Sequence, residues 1–197
     1  MSDLDIIDAA SYNDTMGTYT HFRDIPQFTK TPGYRVDVGW DYLEEWLADH
    51  QKSDPKLDID PDFQRAHVWT EAQQIAFVEY TLRGGTSGKQ LYFNHPYWMN
   101  FRSGAQKKSL YYDFVLVDGK QRLNAAMRFL HNEIPAFGSF RKDFTDRIRF
   151  SGPSFSVNIN DLKTRREVLT WYLEMNTGGT AHTDAEIQKV KDMLEGK

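Results

Sequence analysis

The segment Asp118-Gly119-Lys120-Gln121-Arg122 concentrates more chemistry than any other part of the chain. An apolar run ends just before it at Val117, and Leu123, Ala126, Met127 and Leu130 follow at the spacing of an amphipathic helix. A strand that hands a glycine turn to a helix gathers unpaired backbone N–H groups and the positive end of the helix dipole in one place. Lys120 and Arg122 add cationic charge, and the combination suits a phosphate group. Gly119 would let the backbone come close to a ligand. Asp118 does not belong in a pure anion cradle. A carboxylate beside phosphates needs a task, such as holding Mg²⁺ or taking a proton from a hydroxyl. The plainer alternative is that Asp118 caps the helix and the basic pair faces water.

Two further stretches carry clustered polar groups. Asp62, Gln64, Arg65 and His67 crowd together just ahead of a helix opened by Thr70 and Gln73, a capping-box pair. They suit a binding loop. In the alternative, Phe63 and Trp69 anchor the loop and the polar residues are solvated, and for His67 this structural role is the preferred reading. Later, Asn176-Thr177-Gly178-Gly179-Thr180 forms a hinge between two helical patterns and could offer backbone N–H groups. An ordinary helix end followed by a helix start explains most of it. The run Gly84-Gly85-Thr86-Ser87-Gly88-Lys89 imitates a P-loop, but its glycine spacing is one residue short, Gln90 stands where Ser or Thr would hold Mg²⁺, and no apolar strand precedes it. It reads as a loop ending a helix.

The elements that must carry these groups are short and mixed. Residues 34–38 alternate as a strand, and Trp40, Leu43 and Leu47 mark one helix face. Ile75, Val78 and Leu82 mark a second helix, closed by Gly84-Gly85. Residues 91–94 and 110–117 read as strands, 95–108 as a loop, and 137–159 as irregular chain with short strands. Leu162, Leu169 and Leu173 suggest another helix. Thr183 with Glu186 forms a second capping box ahead of Ile187, Val190 and Leu194. The pattern predicts an α+β fold, with residues 1–33 as a loosely attached leader and 34–197 as one domain. Aromatics crowd 92–101, and Tyr97 and Trp98 are the candidates there for stacking on bases, although most of the run reads as core edge.

Composition bounds the rest. The chain has 197 residues, 14% aromatic and 26% charged, and a net charge of −4. That balance argues against a charge-driven DNA binder. A local basic face remains open between Arg141 and Arg166, where Lys142, Arg147, Arg149, Lys163 and Arg165 also lie. With no cysteine, thiolate metal sites, disulfides and Cys nucleophiles are excluded. There is no apolar run of membrane-spanning length and no secretory signal, so the expected location is the cytoplasm, the host's if the gene is viral.

Taken in order, Phe63-Gln64-Arg65…Trp69, Asp118-Gly119-Lys120-Gln121-Arg122-Leu123 and Asn176-Thr177-Gly178-Gly179 resemble the three boxes of the N-terminal domain of GmrSD-type restriction enzymes, over roughly residues 34–190. Lys120 departs from that family's usual Gln. The resemblance implies a ParB/sulfiredoxin-like fold, a small mixed sheet flanked by helices. It also implies an NTP site (ATP or GTP, with Mg²⁺) formed by Gly119, Lys120, Gln121, Arg122, Gln64, Arg65, Asn176, Gly178 and Gly179. Asp118 would hold the metal. Either Asp118 or Asp62 would act as base, with Lys120 and Arg122 neutralising the transferring phosphoryl. The chain stops short of an HNH-type nuclease half, so self-sufficient DNA cleavage is not expected. The expected activity is either phosphoryl transfer to a hydroxyl on DNA, such as a hydroxymethylated pyrimidine in a phage modification pathway, or NTP hydrolysis coupled to modified-DNA recognition. The alternative is a non-catalytic module that binds nucleotide or modified DNA as a switch or anti-restriction factor.

Overall fold

A computed structural model describes residues 18–25, 34–98, 113–146, 152–177 and 184–195. Its strands are β1 (Tyr34–Gly39), β2 (Leu57–Asp58), β3 (Gln90–Asn94), β4 (Phe114–Asp118) and β5 (Ser154–Asn160). The helices are α1 (Leu43–Gln51), α2 (Glu71–Leu82), α3 (Lys120–Leu130), α4 (Arg165–Thr177) and α5 (Asp184–Glu195). The fold is α+β. One five-stranded sheet runs in the order β1-β5-β3-β4-β2. It is mixed: β1/β5 and β3/β4 are antiparallel, while β3/β5 and β2/β4 are parallel.

Both faces of the sheet are covered, and β4 shows why its sequence is uninterrupted Phe-Val-Leu-Val. Alternate side chains leave a strand on opposite faces. Phe114 and Leu116 enter one core with Val38, Trp40, Leu43, Val78, Phe93 and Leu123, under α1, α2 and α3. Val115 and Val117 enter a second core with Phe63, Leu162, Leu169, Tyr172 and Val190, under α4 and α5. A strand buried on both faces needs an apolar residue at every position.

Several expectations shift. Trp40 is almost fully buried, but it sits on the turn before α1 rather than on the helix. Leu162 likewise precedes α4. The stretch from 137 to 159, expected to be irregular with short strands, supplies all but the last residue of the seven-residue β5, which pairs with both β1 and β3. Its sequence, Ser-Phe-Ser-Val-Asn-Ile-Asn, alternates too politely for a strand hydrogen-bonded on both edges. Ser156, Asn158 and Asn160 nonetheless find hydrogen-bond partners there. The capping box of α2 is present, with the Thr70 side chain accepting from the Gln73 N–H. Gly84 takes φ +85° just past the end of α2, and the Gly84–Lys89 run is the loop from α2 to β3. Thr183, the Glu186 side chain and most of the leader lie outside the described residues. Among the described residues, no helix is long and apolar enough to cross a membrane.

Candidate functional site

The turn at the end of β4 is built on Gly119, whose φ of +111° strongly favours glycine. A Cβ there would also come within 2.4 Å of Leu91 Cδ2 on β3. The space against this glycine is therefore filled by the protein's own side chain. From this turn α3 sends three consecutive residues to three destinations, because each step along a helix turns the side chain by about 100°.

Lys120 points into a cleft of ≈ 960 Å³ between α1, the loop 59–67 and α3. Asn124 and Arg128, one and two helical turns further on, continue the same stripe along the cleft wall. Leu47, Ile59, Leu123 and Met127 supply apolar lining, and Lys189 reaches in from α5. The Lys120 ammonium is paired with the Asp60 carboxylate and also donates to the Arg65 carbonyl at 3.1 Å.

Gln121 points the other way and is buried. Its carbonyl oxygen accepts from the N–H groups of Val68 (3.1 Å) and Trp69 (3.2 Å), and its amide donates to the Ala66 carbonyl (3.3 Å). Arg122 lies about 200° around the helix from Lys120. Its guanidinium donates to the Gln90 carbonyl (3.0 Å) and to Asp118 Oδ2 (2.6 Å). Neither Arg122 nor Asp118 lines the cleft. Asp118 is thus part of an i,i+4 ion pair, and the cation beside it is supplied by the chain itself. A single carboxylate already paired with guanidinium is a poor donor set for Mg²⁺. Among the described residues no cluster of three His, Asp or Glu side chains could hold a metal.

The other predicted residues divide in the same way. Gln64 lines the cleft and donates its amide to the Leu116 carbonyl, tying the loop to β4. Arg65, half-buried, lies on the same loop. Asp62 accepts both its hydrogen bonds from one nitrogen of Arg165, at 2.7 and 2.8 Å, and its carbonyl accepts from Lys189 at 2.6 Å. It joins the loop to α4 and α5 and does not line the cleft. The Asn176 side chain, Gly178 and Gly179 lie outside the described residues, as do Arg147 and Arg149. Of the remaining basic run, Arg165 and Arg166 bind Asp62 and the Leu194 carbonyl, and Lys163 contacts Asp161 at 3.1 Å. Trp98 packs into an aromatic cluster with Tyr34, His50 and Phe114. That is the core-edge alternative to base stacking. Lys163 stands over the Tyr97 ring at 5.6 Å.

The cleft also holds residues that were not singled out from the sequence. In the sequence Asp60-Pro61 signals only a turn, and Asn124, Arg128 and Lys189 fall inside helical patterns with no motif of their own. The Lys120/Asn124/Arg128 stripe is visible at i, i+4 and i+8 once α3 is known to start at Lys120. Arg128 is held by Glu71 and Glu133, each at 3.1 Å, and by Gln74 at 2.8 Å. His67, expected to be structural, has its ring in the cleft lining, within 2.9 Å of the Gln74 amide. Desolvation lowers its pKa below 6.5, the Arg128 and Lys120 charges lower it further, and a contact with the Trp69 backbone partly opposes them.

Residues 43–155 match the family described as the GmrSD restriction endonuclease N-terminal domain. That span includes α1, the loop 59–67 and α3, and every residue lining the cleft except Lys189. No curated protein and no solved structure matches the chain.

Proposed function

Because the chain belongs to the family of the GmrSD restriction endonuclease N-terminal domain, we propose that it binds a nucleoside triphosphate in the α1/α3 cleft and hydrolyses it in response to modified DNA. The observation that carries this reading is Lys120, a cation in the first turn of α3 that opens into a cleft large enough for a nucleotide. Arg128 lies on the same stripe, held by Glu71 and Glu133, Lys189 reaches in from α5, and the Leu47/Met127 side offers apolar surface for a base. Phosphoryl chemistry depends mainly on positioning and charge, which this wall can provide. The triphosphate would displace the Asp60 carboxylate from Lys120. Asp60 rather than Asp118 is then the carboxylate placed to meet a Mg²⁺ ion carried in on the phosphates. Asp118 and Arg122 hold the turn and act on the ligand only through it.

The test is to incubate the full chain with γ-labelled ATP or GTP, Mg²⁺, and DNA containing hydroxymethyluracil or hydroxymethylcytosine. Label released as free phosphate, and stimulated by the modified DNA, supports hydrolysis. Label on the DNA would replace hydrolysis by phosphoryl transfer to the base hydroxyl. Binding without turnover would reduce the chain to a non-catalytic module. If no nucleotide binds, the reading fails.

A further inference from the structure

The His67 ring has two nitrogens, and the surrounding hydrogen bonds decide which of them carries the proton. The deciding residue is Gln74 on α2, which is 2% exposed and held from both sides. Its Oε1 accepts from Arg128 at 2.8 Å, and Arg128 can only donate. Its Nε2 donates to the Trp69 carbonyl at 3.1 Å, and a carbonyl can only accept. The amide orientation is therefore fixed by chemistry on both sides. The remaining Nε2 hydrogen faces His67 Nε2 at 2.9 Å, so that ring nitrogen must present a lone pair.

A neutral imidazole with its lone pair at Nε2 carries its hydrogen at Nδ1. Asn124 Nδ2 is nearly equidistant from the two nitrogens, 3.1 Å from Nδ1 and 3.3 Å from Nε2. An atom so placed lies over the ring face, because the two in-plane axes diverge. Asn124 therefore does not sit on the Nδ1–H axis, and the ring itself lines the cleft. Desolvation opposes an imidazolium first, the Arg128 and Lys120 charges add to it, and a contact with the Trp69 backbone partly works against them.

We infer that Gln74 holds His67 as the neutral Nδ1–H tautomer, and that this N–H donates to a phosphoryl oxygen of the ligand in the cleft. The ligand contact rests on the proposed triphosphate site; the tautomer does not. His67 is then a neutral donor and not the general base, since its one lone pair is already occupied. Gln74 is a positioning residue that acts through it.

The test is ¹⁵N–¹H NMR of the imidazole in the full chain at neutral pH, before and after adding inorganic tripolyphosphate. The expected spectrum has a protonated Nδ1 and an unprotonated Nε2, with the Nδ1–H resonance moving on binding. Gln74→Glu would supply an acceptor in place of the donor. It should shift the proton to Nε2 or produce the imidazolium, a change that a purely structural glutamine would not cause. His67→Phe should weaken tripolyphosphate binding roughly tenfold, the loss of one hydrogen bond to a charged oxygen. An Nε2–H or doubly protonated ring in the wild type overturns the inference. A wild type that binds while its Nδ1–H stays unmoved overturns the ligand contact. No binding of tripolyphosphate at all overturns the triphosphate site and the contact with it, and leaves the tautomer to be judged by the spectrum alone.

Discussion

Lys120 and Arg122 stand two residues apart, carry the same charge, and were expected to serve one phosphate. Lys120 looks into the cleft with Gln64, His67 and Asn124 for neighbours. Arg122 looks toward β3 and is bound to Asp118 and the Gln90 carbonyl, with its Nε buried and unpartnered. The first cation is held by an exposed carboxylate and by the Arg65 carbonyl, both on the cleft's own loop. The second is part of the fastening that holds the turn. A cluster of like residues in a sequence is thus no guide to a cluster in space when a helix begins inside it, because the helical twist disperses them.

The sharpest way to break this contrast lies between the two cations, at Gln121. Gln121→Ala removes the partners of Val68 N–H, Trp69 N–H and the Ala66 carbonyl together, and should cost about 3 kcal/mol in urea unfolding. Gly119→Ala adds a methyl group against Leu91 in a left-handed backbone and should cost about 2 kcal/mol in the same measurement. Lys120→Met should leave stability nearly unchanged and weaken triphosphate binding about tenfold, near 1.4 kcal/mol by calorimetry. Arg122→Met should do the reverse, with about 1 kcal/mol lost from stability and binding little affected. If Arg122→Met instead abolishes binding in a folded protein, the division between the two cations is wrong. The smallest effect should come from His67. Its folded pKa is lowered, so the unfolded chain takes up a proton more readily as the pH drops below 6.5. Stability should be full above that pH and fall as the pH descends toward the folded value. His67→Phe should lose this component of the pH dependence.

Much of the scaffold could be read in advance because its signals are local. The apolar run of β4, the capping box of α2 and the periodicity of α3 each depend on neighbours within a few residues. The Asp118/Arg122 pair lies only four positions apart, across the turn from β4 to α3. Trp40 was read one element too far along because its spacing from Leu43 matches a helix that starts only at Leu43. The site was less legible because its walls are distant in sequence. Nothing local to Asp60 says that it will meet Lys120, and nothing near Lys189 says that α5 will bring it to the same cleft. The role of His67 was hidden for the same reason, since Gln74 and Asn124 reach it from different helices.

The clasp formed by Gln121 makes the Phe63–Trp69 loop and the head of α3 a single mechanical part, although more than fifty positions separate them along the chain. Homologues should therefore exchange these two segments only as a matched set. A chimera that imports either one alone would inherit a misfitted joint and a cleft with its walls out of register.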